Sequence, residues 1–367
     1  MLTVERHFWL PKLRNAWQEL YEANSALTVF QSYEFMSNFW KNSWVYCATH
    51  REFPMFYLIR EDGSPRMIAP LCMKHDGPYE IMGNKNGCEY CDFVYAEKAN
   101  IGLYVDALLK RLQRKVLFAR IKEDSLLYKA LKGNDCMEMQ REDICVNIPL
   151  PNNYETYYKS LSSSVRQNLR TSFNRLKRDG HSIRVKVLHD GKQVETWSFD
   201  NLESLQTSVV EYSRQEQNEQ EGDKDFTKML ALYYQRHAER YEERTSRLKM
   251  WYMKHLNFVT ASLRHMRSAI NVMLFVDNEL AAFMSGLVSV GEGALTVPRL
   301  SINGKFGFYS PGMLLVNETA RYLIDRTENR NLDLSLGTEE YKTKMGGGKF
   351  TIITFELRPL DKHSGHK

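Results

Sequence analysis

The sequence predicts an α/β (α+β) protein whose mixed, mostly antiparallel sheets are flanked by helices. Three observations lead to this fold class. Apolar residues repeat at helical spacing over 100–113, and they form successive strands with "DGS" and "DGP" turns over 55–83. Three further strands joined by two tight turns occupy 269–302, which is typical of an antiparallel meander.

The length of the chain favours two domains. Its 367 residues, of which 43% are hydrophobic, can bury a large core, and the length exceeds that of a typical single domain. Pro149 and Pro151 interrupt the periodic pattern and mark a boundary. We therefore expect a first domain over 1–150, a second over 151–360 and a flexible tail over 361–367.

Composition and charge exclude several classes of protein. Lys and Arg number 50 and Asp and Glu 45, and the formal charge of +5 argues against a dedicated nucleic-acid-binding protein while weakly suiting an anionic ligand. The opening residues lack the apolar stretch of a secretory signal, and the longest apolar run, 280–288, is too short to cross a bilayer. The expectation is a cytoplasmic protein with reduced thiols.

Cys72, His75, Cys88 and Cys91 imitate the spacing of a structural zinc site. The stretch around Cys72 and His75 alternates like a strand, so these two side chains should point to opposite faces. Because ligands on opposite faces cannot share one ion, the sequence predicts no metal site.

The remaining elements of the first domain follow the same periodicities. Helices are predicted over 5–25 and 29–44, the second capped by Ser32, and a strand over 115–121. In the helix over 100–113, the predicted apolar stripe consists of Leu103, Val105, Leu108, Leu109 and Leu112.

The second domain begins with a basic helix. A serine at 162–164 can cap it, and Gly180 can end it. Between 155 and 180 the chain has six basic and two acidic residues. Arg166 and Arg170 are four apart, so they are neighbours on one helical face. Either this face is simply solvated, or the two guanidinium groups bind a phosphate or carboxylate of the substrate.

The pattern is weaker between this helix and the meander. It predicts helices near 197–214 and 225–243, with the polar, acidic segment "QEQNEQEGDKD" as a mobile loop between them. The stretch over 248–266 fits either a helix or a strand.

The helix that follows the meander has a start suited to anions. Ser310 is a good N-cap and Pro311 fits the first helical position. The free backbone donors should belong to Gly312, Met313 and Leu314, and the missing side chain of Gly312 would let a ligand approach. Free amides and the helix dipole both favour an anion there.

The stretch "LDLSLGTEEYKTKMGGGKF" near the C-terminus predicts a strand, a glycine turn, a short helical turn, a second glycine turn and another strand. Strand alternation places Asp333 and Ser335 on one face and Leu332, Leu334 and Leu336 on the other, which we expect to face the core. The Asp333 face then points either to a crevice or to solvent, and the sequence leaves both open.

Three stretches resemble motifs of a known superfamily. They are "SLSSSVRQNLRTSFNRLKRDG", "FGFYSPGMLL" and "LDLSLGTEEYKTKMG", which are similar to segments of the GNAT acyltransferases and, more narrowly, of the CelD-type (BcsL-like) acetyltransferase family. The resemblance spans residues 30–357 and implies tandem GNAT-like domains. It also implies that the second domain holds acyl-coenzyme A at the helix start, where the contacting residues would be Ser310, Gly312, Met313 and Leu314.

Acyl transfer from a thioester needs a base for the attacking amine or hydroxyl and an acid for the leaving thiolate. Asp333 and Glu340 are the candidate bases, and burial would help either by raising its pKa. Tyr309 or Tyr341 could protonate the thiolate, as tyrosines do in similar folds. Lys342 could hold a phosphate or a substrate carboxylate. For each, a plain surface position is the alternative.

The resulting prediction is an N- or O-acetyltransferase that moves an acetyl group from acetyl-coenzyme A, without a metal, to a sugar or polysaccharide precursor. The first domain would shape the acceptor side, and the enzyme could associate peripherally with a membrane synthase. One alternative is a FemAB-like aminoacyl transferase, because that related family shares the tandem fold and uses charged tRNA. The other is a non-catalytic GNAT-like binding module, which would not bind coenzyme A.

Overall fold

The structure is a computed structural model that describes residues 1–42, 52–84, 87–189, 192–199, 206, 210–216, 219–241 and 266–359. The chain forms two compact units. The described part of the first consists of residues up to Ile144 together with those from Phe350 onward, and that of the second lies between Cys145 and Lys349. The predicted boundary at 150 lies close to the first crossing, but the prediction that the last strand belongs to the second domain is wrong. The predicted tail over 361–367 lies outside the described residues.

The first crossing between the units occurs within a long strand. The elements up to it are β1 (Leu2–His7), a 3-10 turn (Leu10–Leu13), α1 (Arg14–Glu22), a 3-10 turn (Val29–Gln31), α2 (Tyr33–Asn42), β2 (Glu52–Glu61), β3 (Ser64–Lys74), β4 (Tyr79–Ile81), β5 (Val94–Tyr95), α3 (Ile101–Leu112), β6 (Val116–Lys122), α4 (Leu126–Leu131) and β7 (Met137–Pro149).

The return crossing occurs within the last strand. The elements up to it are α5 (Tyr154–Ser160), α6 (Ser163–Arg178), β8 (Ile183–His189), β9 (Gln193–Ser198), β10 (Ser213–Glu216), α7 (Glu219–Tyr241), β11 (Ala269–Val276), β12 (Glu279–Ser289), β13 (Ala294–Ile302), a 3-10 turn (Gly304–Tyr309), α8 (Pro311–Arg326), β14 (Asn331–Leu336), α9 (Glu340–Lys344) and β15 (Gly348–Leu357).

The sheet of the first unit runs in the order β1-β2-β3-β4-β6-β15, in which β4 and β6 are parallel and the other neighbours antiparallel. The Ser32 hydroxyl caps α2 by accepting from the Phe35 amide at 3.1 Å, which confirms the predicted start of that helix. α3 is also confirmed, except that Leu103 is 44% exposed. Leu103 is two residues from Val105, so the helical rotation turns it away from the buried stripe.

The sheet of the second unit runs in the order β7-β14-β13-β12-β11-β8-β9-β10. Its neighbours are antiparallel except for β13 and β14, which are parallel. The main core lies on one face, between the sheet and the helices α5, α6 and α8. A smaller core on the other face packs against α7 through Phe226, Met229 and Leu232. The predicted meander is confirmed as β11, β12 and β13.

A buried polar cluster anchors α8 against β9. Glu318 and Arg321 are almost fully buried and form an ion pair with a 3.1 Å Oε2–Nε distance. The indole nitrogen of Trp197 donates to the same Glu318 oxygen at 3.2 Å. Burial raises the pKa of Glu318, and the positive charge of Arg321 opposes that change. The cluster therefore fixes the rotation of the helix whose start is considered below.

Of two predictions between 190 and 225, one is wrong and the other lies about half outside the described residues. The helix predicted near 197–214 falls in large part on residues that the structure does not describe: Gln206 is helical, and the two edges of the span hold the end of β9 and the start of β10. The acidic segment predicted as a mobile loop begins α7 at Glu219. Acidic side chains suit a helix start because they face the positive end of its dipole. The prediction for 248–266 lies almost entirely outside the described residues.

The cysteines of the first unit lie on and beyond β3. Cys72 is buried in β3, and the Sγ atoms of Cys88 and Cys91 are 3.5 Å apart. Among the described residues, no three His, Cys, Asp or Glu side chains are grouped as metal ligands. In the same part of the chain, no helix combines the length and the apolar character needed to cross a membrane.

Candidate functional site

The parallel strands β13 and β14 separate after a short contact. They pair at Ala294–Asn331, Leu295–Leu332 and Thr296–Asp333, and the ladder between them ends there. Near this point each of the two strands also pairs irregularly with its other neighbour. The pairing of β13 with β12 shifts register between Ser285 and Leu287, and the pairing of β14 with β7 shifts register after Asp333. The two strands therefore diverge toward their C-terminal ends. We call this opening, which begins at the Thr296–Asp333 pair and is bordered by Val297 and Ser335, the crevice.

Asp333 lies at the closed end of the crevice. It is only 6% exposed, its Oδ1 accepts from the Ser335 amide at 2.8 Å, and its Oδ2 accepts from the Thr296 hydroxyl at 3.3 Å. The predicted Asp333 and Ser335 face is thus buried beside the crevice and does not point to solvent. A carboxylate held by two donors in this way can accept a further proton or hydrogen bond in a fixed direction.

Ser335 produces the bend in β14. Its backbone has φ +51°, a left-handed conformation that is strained for a residue other than glycine. Its hydroxyl donates to the Val297 carbonyl at 3.1 Å, replacing a backbone bond between the diverging strands. The bend breaks the predicted alternation, so Leu336 is 38% exposed and does not face the core with Leu332 and Leu334.

The start of α8 adjoins the end of β13. Pro311 is the first helical residue, as predicted, but Ser310 has φ +49° and its hydroxyl makes no capping bond. The amides of Met313 and Leu314 both donate to the Ser310 carbonyl, at 3.1 and 3.3 Å. The prediction of three free amides is therefore wrong, and of these three amides that of Gly312 makes no hydrogen bond within the described residues. A Cβ at Gly312 would lie 3.2 Å from Ile302 Cγ2.

Arg166 has a structural role in this fold. Its Nη1 donates to the carbonyls of Lys159 and Leu161, at 2.7 and 2.5 Å, and so closes the C-terminal end of α5. A guanidinium engaged in this way has little capacity left for a substrate. Arg166 and Arg170 lie four residues apart on α6, as predicted, but only Arg166 is held by the carbonyls at the end of α5.

Arg170 and Arg175 lie farther along α6. The Nε atom of Arg170 is buried and has no hydrogen-bond partner within the described part of the chain. Arg175 donates to the Phe308 carbonyl at 3.2 Å, and its guanidinium lies 4.3 Å from the centre of the Phe308 ring. Phe308 belongs to the 3-10 turn that leads into α8. The basic helix therefore lies beside the segment that precedes Ser310.

The two tyrosine candidates differ in environment. The Tyr309 hydroxyl donates to Asp179 Oδ2 at 2.9 Å, and this hydrogen bond raises the pKa of Tyr309. Tyr341 is half-buried against the main core of the second unit, and burial raises its pKa to about 12. Both hydroxyls are therefore protonated at neutral pH and can donate a proton.

Lys342 and Glu340 lie on opposite sides of α9. Lys342 is 4% exposed, and its ammonium donates to the carbonyls of Leu334, Leu336 and Gly337 and pairs with Glu339 at 3.0 Å. Its donors are occupied, so the predicted role in phosphate binding is not supported by its position.

Glu340 is exposed and forms a 2.8 Å ion pair with Lys344. Glu340 therefore lacks the buried position that Asp333 has. Of the two candidate bases, Asp333 alone lies beside the crevice.

Sequence reasoning missed Thr296, Arg175 and Asp179 as neighbours of the candidate residues. A threonine inside the apolar strand "ALTVPRL" is a signal that could have indicated Thr296. Arg175 and Asp179 gave no such signal, since contacts between α6 and the 3-10 turn depend on the tertiary fold.

Comparison with known proteins adds a sequence similarity to this geometry. Residues 210–343, which include β11 to β14, α8 and most of α9, match the model of the acetyltransferase (GNAT) domain. Within the second unit, these residues are therefore similar to an acetyltransferase (GNAT) domain. No curated protein matches the chain in sequence.

Solved structures share the fold over nearly the whole chain. A protein of unknown function from Bacteroides thetaiotaomicron has a TM-score of 0.57 and 8% identity, covering 97% of this chain and 100% of that one. FemX has a TM-score of 0.51 and 10% identity, with 96% of each chain covered. The C-terminal domain of a protein described as a lysylphosphatidylglycerol synthetase from Agrobacterium fabrum has a TM-score of 0.51 and 10% identity. The match covers 95% of this chain and 92% of that one. These likenesses concern the fold alone, and they confirm the predicted fold class.

Proposed function

We propose that the second unit binds acyl-coenzyme A, with acetyl-coenzyme A preferred, and transfers the acyl group to an amine or hydroxyl of a sugar or polysaccharide precursor. The observation that carries the proposal is the separation of β13 and β14 in combination with the start of α8, which lies beside Ile302 at the end of β13. A separation of parallel strands leaves a crevice whose walls are backbone groups, and the adjoining helix start favours a phosphate. Membership of the CelD-type family remains part of this proposal.

The residues around the crevice fit such a ligand. The Gly312 amide and the positive end of the α8 dipole favour a phosphate group, and no side chain at Gly312 blocks the approach. The buried, unbonded Nε of Arg170 on the neighbouring basic helix offers a charge-assisted donor. Lys342 takes no part in this assignment. Two non-glycine residues with left-handed backbone, Ser310 and Ser335, border the site, and such strain is often retained at functional sites.

A bound thioester supplies an activated acyl carbon, and the chain's residues must move protons around it. Asp333 would accept the proton of the attacking amine or hydroxyl as the new N–C or O–C bond forms and the C–S bond breaks. Thr296 and Ser335 keep the Asp333 carboxylate oriented. Tyr341 or Tyr309 would return a proton to the leaving sulfur, since both are protonated at neutral pH.

Thermal unfolding with and without coenzyme A tests the proposal. A ligand that binds only the folded state, at a hundred times its Kd, stabilises it by about 2.7 kcal/mol. The wild type should show that shift, and Gly312→Trp should fold without showing it. Gly307→Ala is the control, because a Cβ there meets no atom within 4 Å. A wild type that does not respond to coenzyme A contradicts the proposal.

Aminoacyl transfer from charged tRNA is the second candidate function. The basic helix α6 favours it, because tRNA binding requires positive charge, and the fold is similar to that of FemX. Arg166 is occupied by backbone carbonyls, so Arg170, Arg175 and Lys177 would supply the contacts. Affinity for tRNA that falls steeply with salt, together with no response to coenzyme A, would favour this function. Absence of both responses would favour a non-catalytic binding module.

A further inference from the structure

Three aromatic side chains are exposed at one corner of the first unit. Phe8 and Trp9 directly follow β1 and are 57% and 56% exposed, and Phe53 near the start of β2 is 56% exposed. β1 is the edge strand of the sheet and is antiparallel to β2, so its end lies beside the start of β2. Of the four Phe and Trp side chains that are more than half exposed in the described part of the chain, these are three. We call Phe8, Trp9 and Phe53 the aromatic corner.

Phe8 and Phe53 lie on the same face of the sheet. Arg6 is opposite Tyr57, and strand alternation places Phe53 on the Tyr57 face. The guanidinium of Arg6 lies 5.0 Å from the centre of the Phe8 ring, so Phe8 lies on this face as well. One residue beyond the last pair of β1 with β2, Phe8 comes level with Met55 and is the diagonal neighbour of Phe53, at about 7–8 Å. The two exposed rings therefore form one apolar surface.

Trp9 borders the same strand end from the opposite face. Its ring packs edge-on against Trp40 of α2, with ring centres 5.0 Å apart, and more than half of its surface is still exposed. Single exposed apolar residues are ordinary on a protein surface, whereas a contiguous exposed patch marks an interaction site. These large rings contribute little to the core of the first unit, which indicates that the corner contacts something outside it.

Four exposed cations lie around the aromatic corner, namely Arg6, Lys12, Lys41 and Arg111. Lys12 is in the 3-10 turn that begins after Trp9, and Lys41 directly follows the tryptophan against which Trp9 packs. Burial raises the pKa of Tyr57, and the positive charges of Arg6 and Arg111 oppose that rise, so both guanidinium groups lie near Tyr57. Among the residues that the structure describes, none of these four cations forms an ion pair.

The acidic side chains nearest to the corner in sequence are already paired. Glu5 pairs with Arg60 at 3.1 Å, and the buried Glu52 pairs with Lys74 at 3.7 Å. The corner thus presents aromatic rings together with uncompensated positive charge. An anionic surface complements the charge, and the headgroup region of a bilayer suits aromatic rings. Rings on both faces of one strand end can enter such a fluid region together, whereas a rigid protein surface would need a slot shaped to the strand end.

We propose that the aromatic corner docks the first unit on a membrane surface that carries anionic lipids. Phe8, Trp9 and Phe53 enter the headgroup region, and the four cations pair with lipid phosphates. The inference does not depend on the proposed function, because it concerns the other unit. Its test needs neither coenzyme A nor an acceptor.

Co-sedimentation with lipid vesicles tests the inference. The wild type should bind vesicles made of phosphatidylcholine and phosphatidylglycerol in equal parts, bind pure phosphatidylcholine vesicles much less, and lose binding as the salt concentration rises. Phe8→Ser combined with Phe53→Ser should weaken binding about tenfold or more, because two rings no longer leave water. Arg6→Glu combined with Arg111→Glu should weaken it at least about tenfold as well, because two attractive charges become repulsive.

Two control variants match these changes. Val290→Ser removes an apolar side chain that is 84% exposed in the second unit. Lys129→Glu reverses an exposed charge on α4, which packs against β6, four strands from β1 in the sheet order. Both controls should bind vesicles as the wild type does. The positions changed at the corner are exposed, so the corner variants should keep the melting temperature of the wild type.

Loss of vesicle binding in the corner variants, with binding retained in both controls, supports the inference. Absence of wild-type binding to either kind of vesicle would overturn it, and so would equal binding to the two lipid compositions, because the cations would then have no role. Light scattering tests the other occupant of the corner. If the wild type is a dimer and the Phe8→Ser, Phe53→Ser variant is a monomer, a second copy of the chain covers the corner and the inference is wrong.

Discussion

Lys342, Tyr341 and Asp333 occupy one short stretch of sequence, yet their environments differ completely. Asp333 is buried beside the crevice, Tyr341 is half-buried against the core, and Lys342 is buried among backbone carbonyls. The sequence predicts that this stretch is chemically important. It does not predict the partner of each side chain, because the left-handed bend at Ser335 redirects the carbonyls that Lys342 binds. The chemistry of single residues is therefore set by local backbone geometry that alternation rules do not describe.

Asp333→Asn should lower the rate of acyl transfer about 10²- to 10⁴-fold, which is the usual contribution of a general base. The thermal shift with coenzyme A should be unchanged, because Asp333 is not assigned to the phosphate site. Release of free thiol from acetyl-coenzyme A, in the presence of an amino sugar, measures the rate. Glu340→Gln is the matched control and should keep full activity, since Glu340 is exposed. If Glu340→Gln lowers the rate of acyl transfer and Asp333→Asn does not, Glu340 is the base.

Lys342→Met should lower the free energy of unfolding by about 3 kcal/mol, because buried carbonyls lose their donor. Urea denaturation measures the change. Lys344→Met is the control, and it should cost less than about 0.5 kcal/mol because its ion pair is exposed. A small effect on stability, accompanied by loss of coenzyme A binding, would restore the phosphate role predicted for Lys342.

At the scale of elements, the sequence predicts best where local signals agree. The meander, the Pro311 helix and the basic helix all have turn residues or caps at their ends, and all three are confirmed. For the segment over 215–225 two local signals conflict. Its low hydrophobicity suggests a loop, whereas its acidic residues suit a helix start, and the structure has a helix from Glu219. The separation of β13 and β14 has no local signal in the sequence. It arises from two register shifts in strands that are far apart in the chain.

The glycine turn after α9 shows how tightly this segment is built. A Cβ at Gly347 would lie 2.3 Å from Val146 Cγ1 and 2.6 Å from the Lys342 carbonyl, whereas one at Gly348 would have ordinary contacts. Gly347→Ala should therefore cost about 2 kcal/mol or more of unfolding free energy. Gly348→Ala should change it by less than about 0.5 kcal/mol. Equal effects of the two neighbouring substitutions in chemical denaturation would show that the close packing at Gly347 does not matter.

At the scale of the whole molecule, the sequence predicts two α/β domains but assigns the last strand to the wrong one. β15 pairs with β6, whose residues precede it by more than 200 positions, and its residues from Phe350 onward complete the first unit. Pairing over such a separation is decided by tertiary packing, and no turn or cap near the strand indicates it. The first unit is therefore built from two separate parts of the chain, whereas a single boundary near Pro149 predicts one continuous part.

Phe355→Ala tests the assignment of β15 to the first unit. Phe355 is fully buried and stacks on Phe118 of β6 with ring centres 4.9 Å apart. Its truncation should cost about 3–5 kcal/mol of unfolding free energy. Phe53→Ala, at a 56% exposed position of the same unit, should cost little. The affinity for coenzyme A, assigned to the second unit, should stay unchanged under conditions in which the variant is folded. Loss of that affinity in the folded variant would contradict the assignment.

The central claim is that acetyl-coenzyme A binds between the crevice and the start of α8. A calorimetric titration of the wild type and of Gly312→Trp with acetyl-coenzyme A tests it most directly. The account predicts one bound molecule per chain for the wild type and no binding for a folded Gly312→Trp variant. Absence of binding to the wild type at millimolar ligand, or equal binding to both proteins, would contradict it.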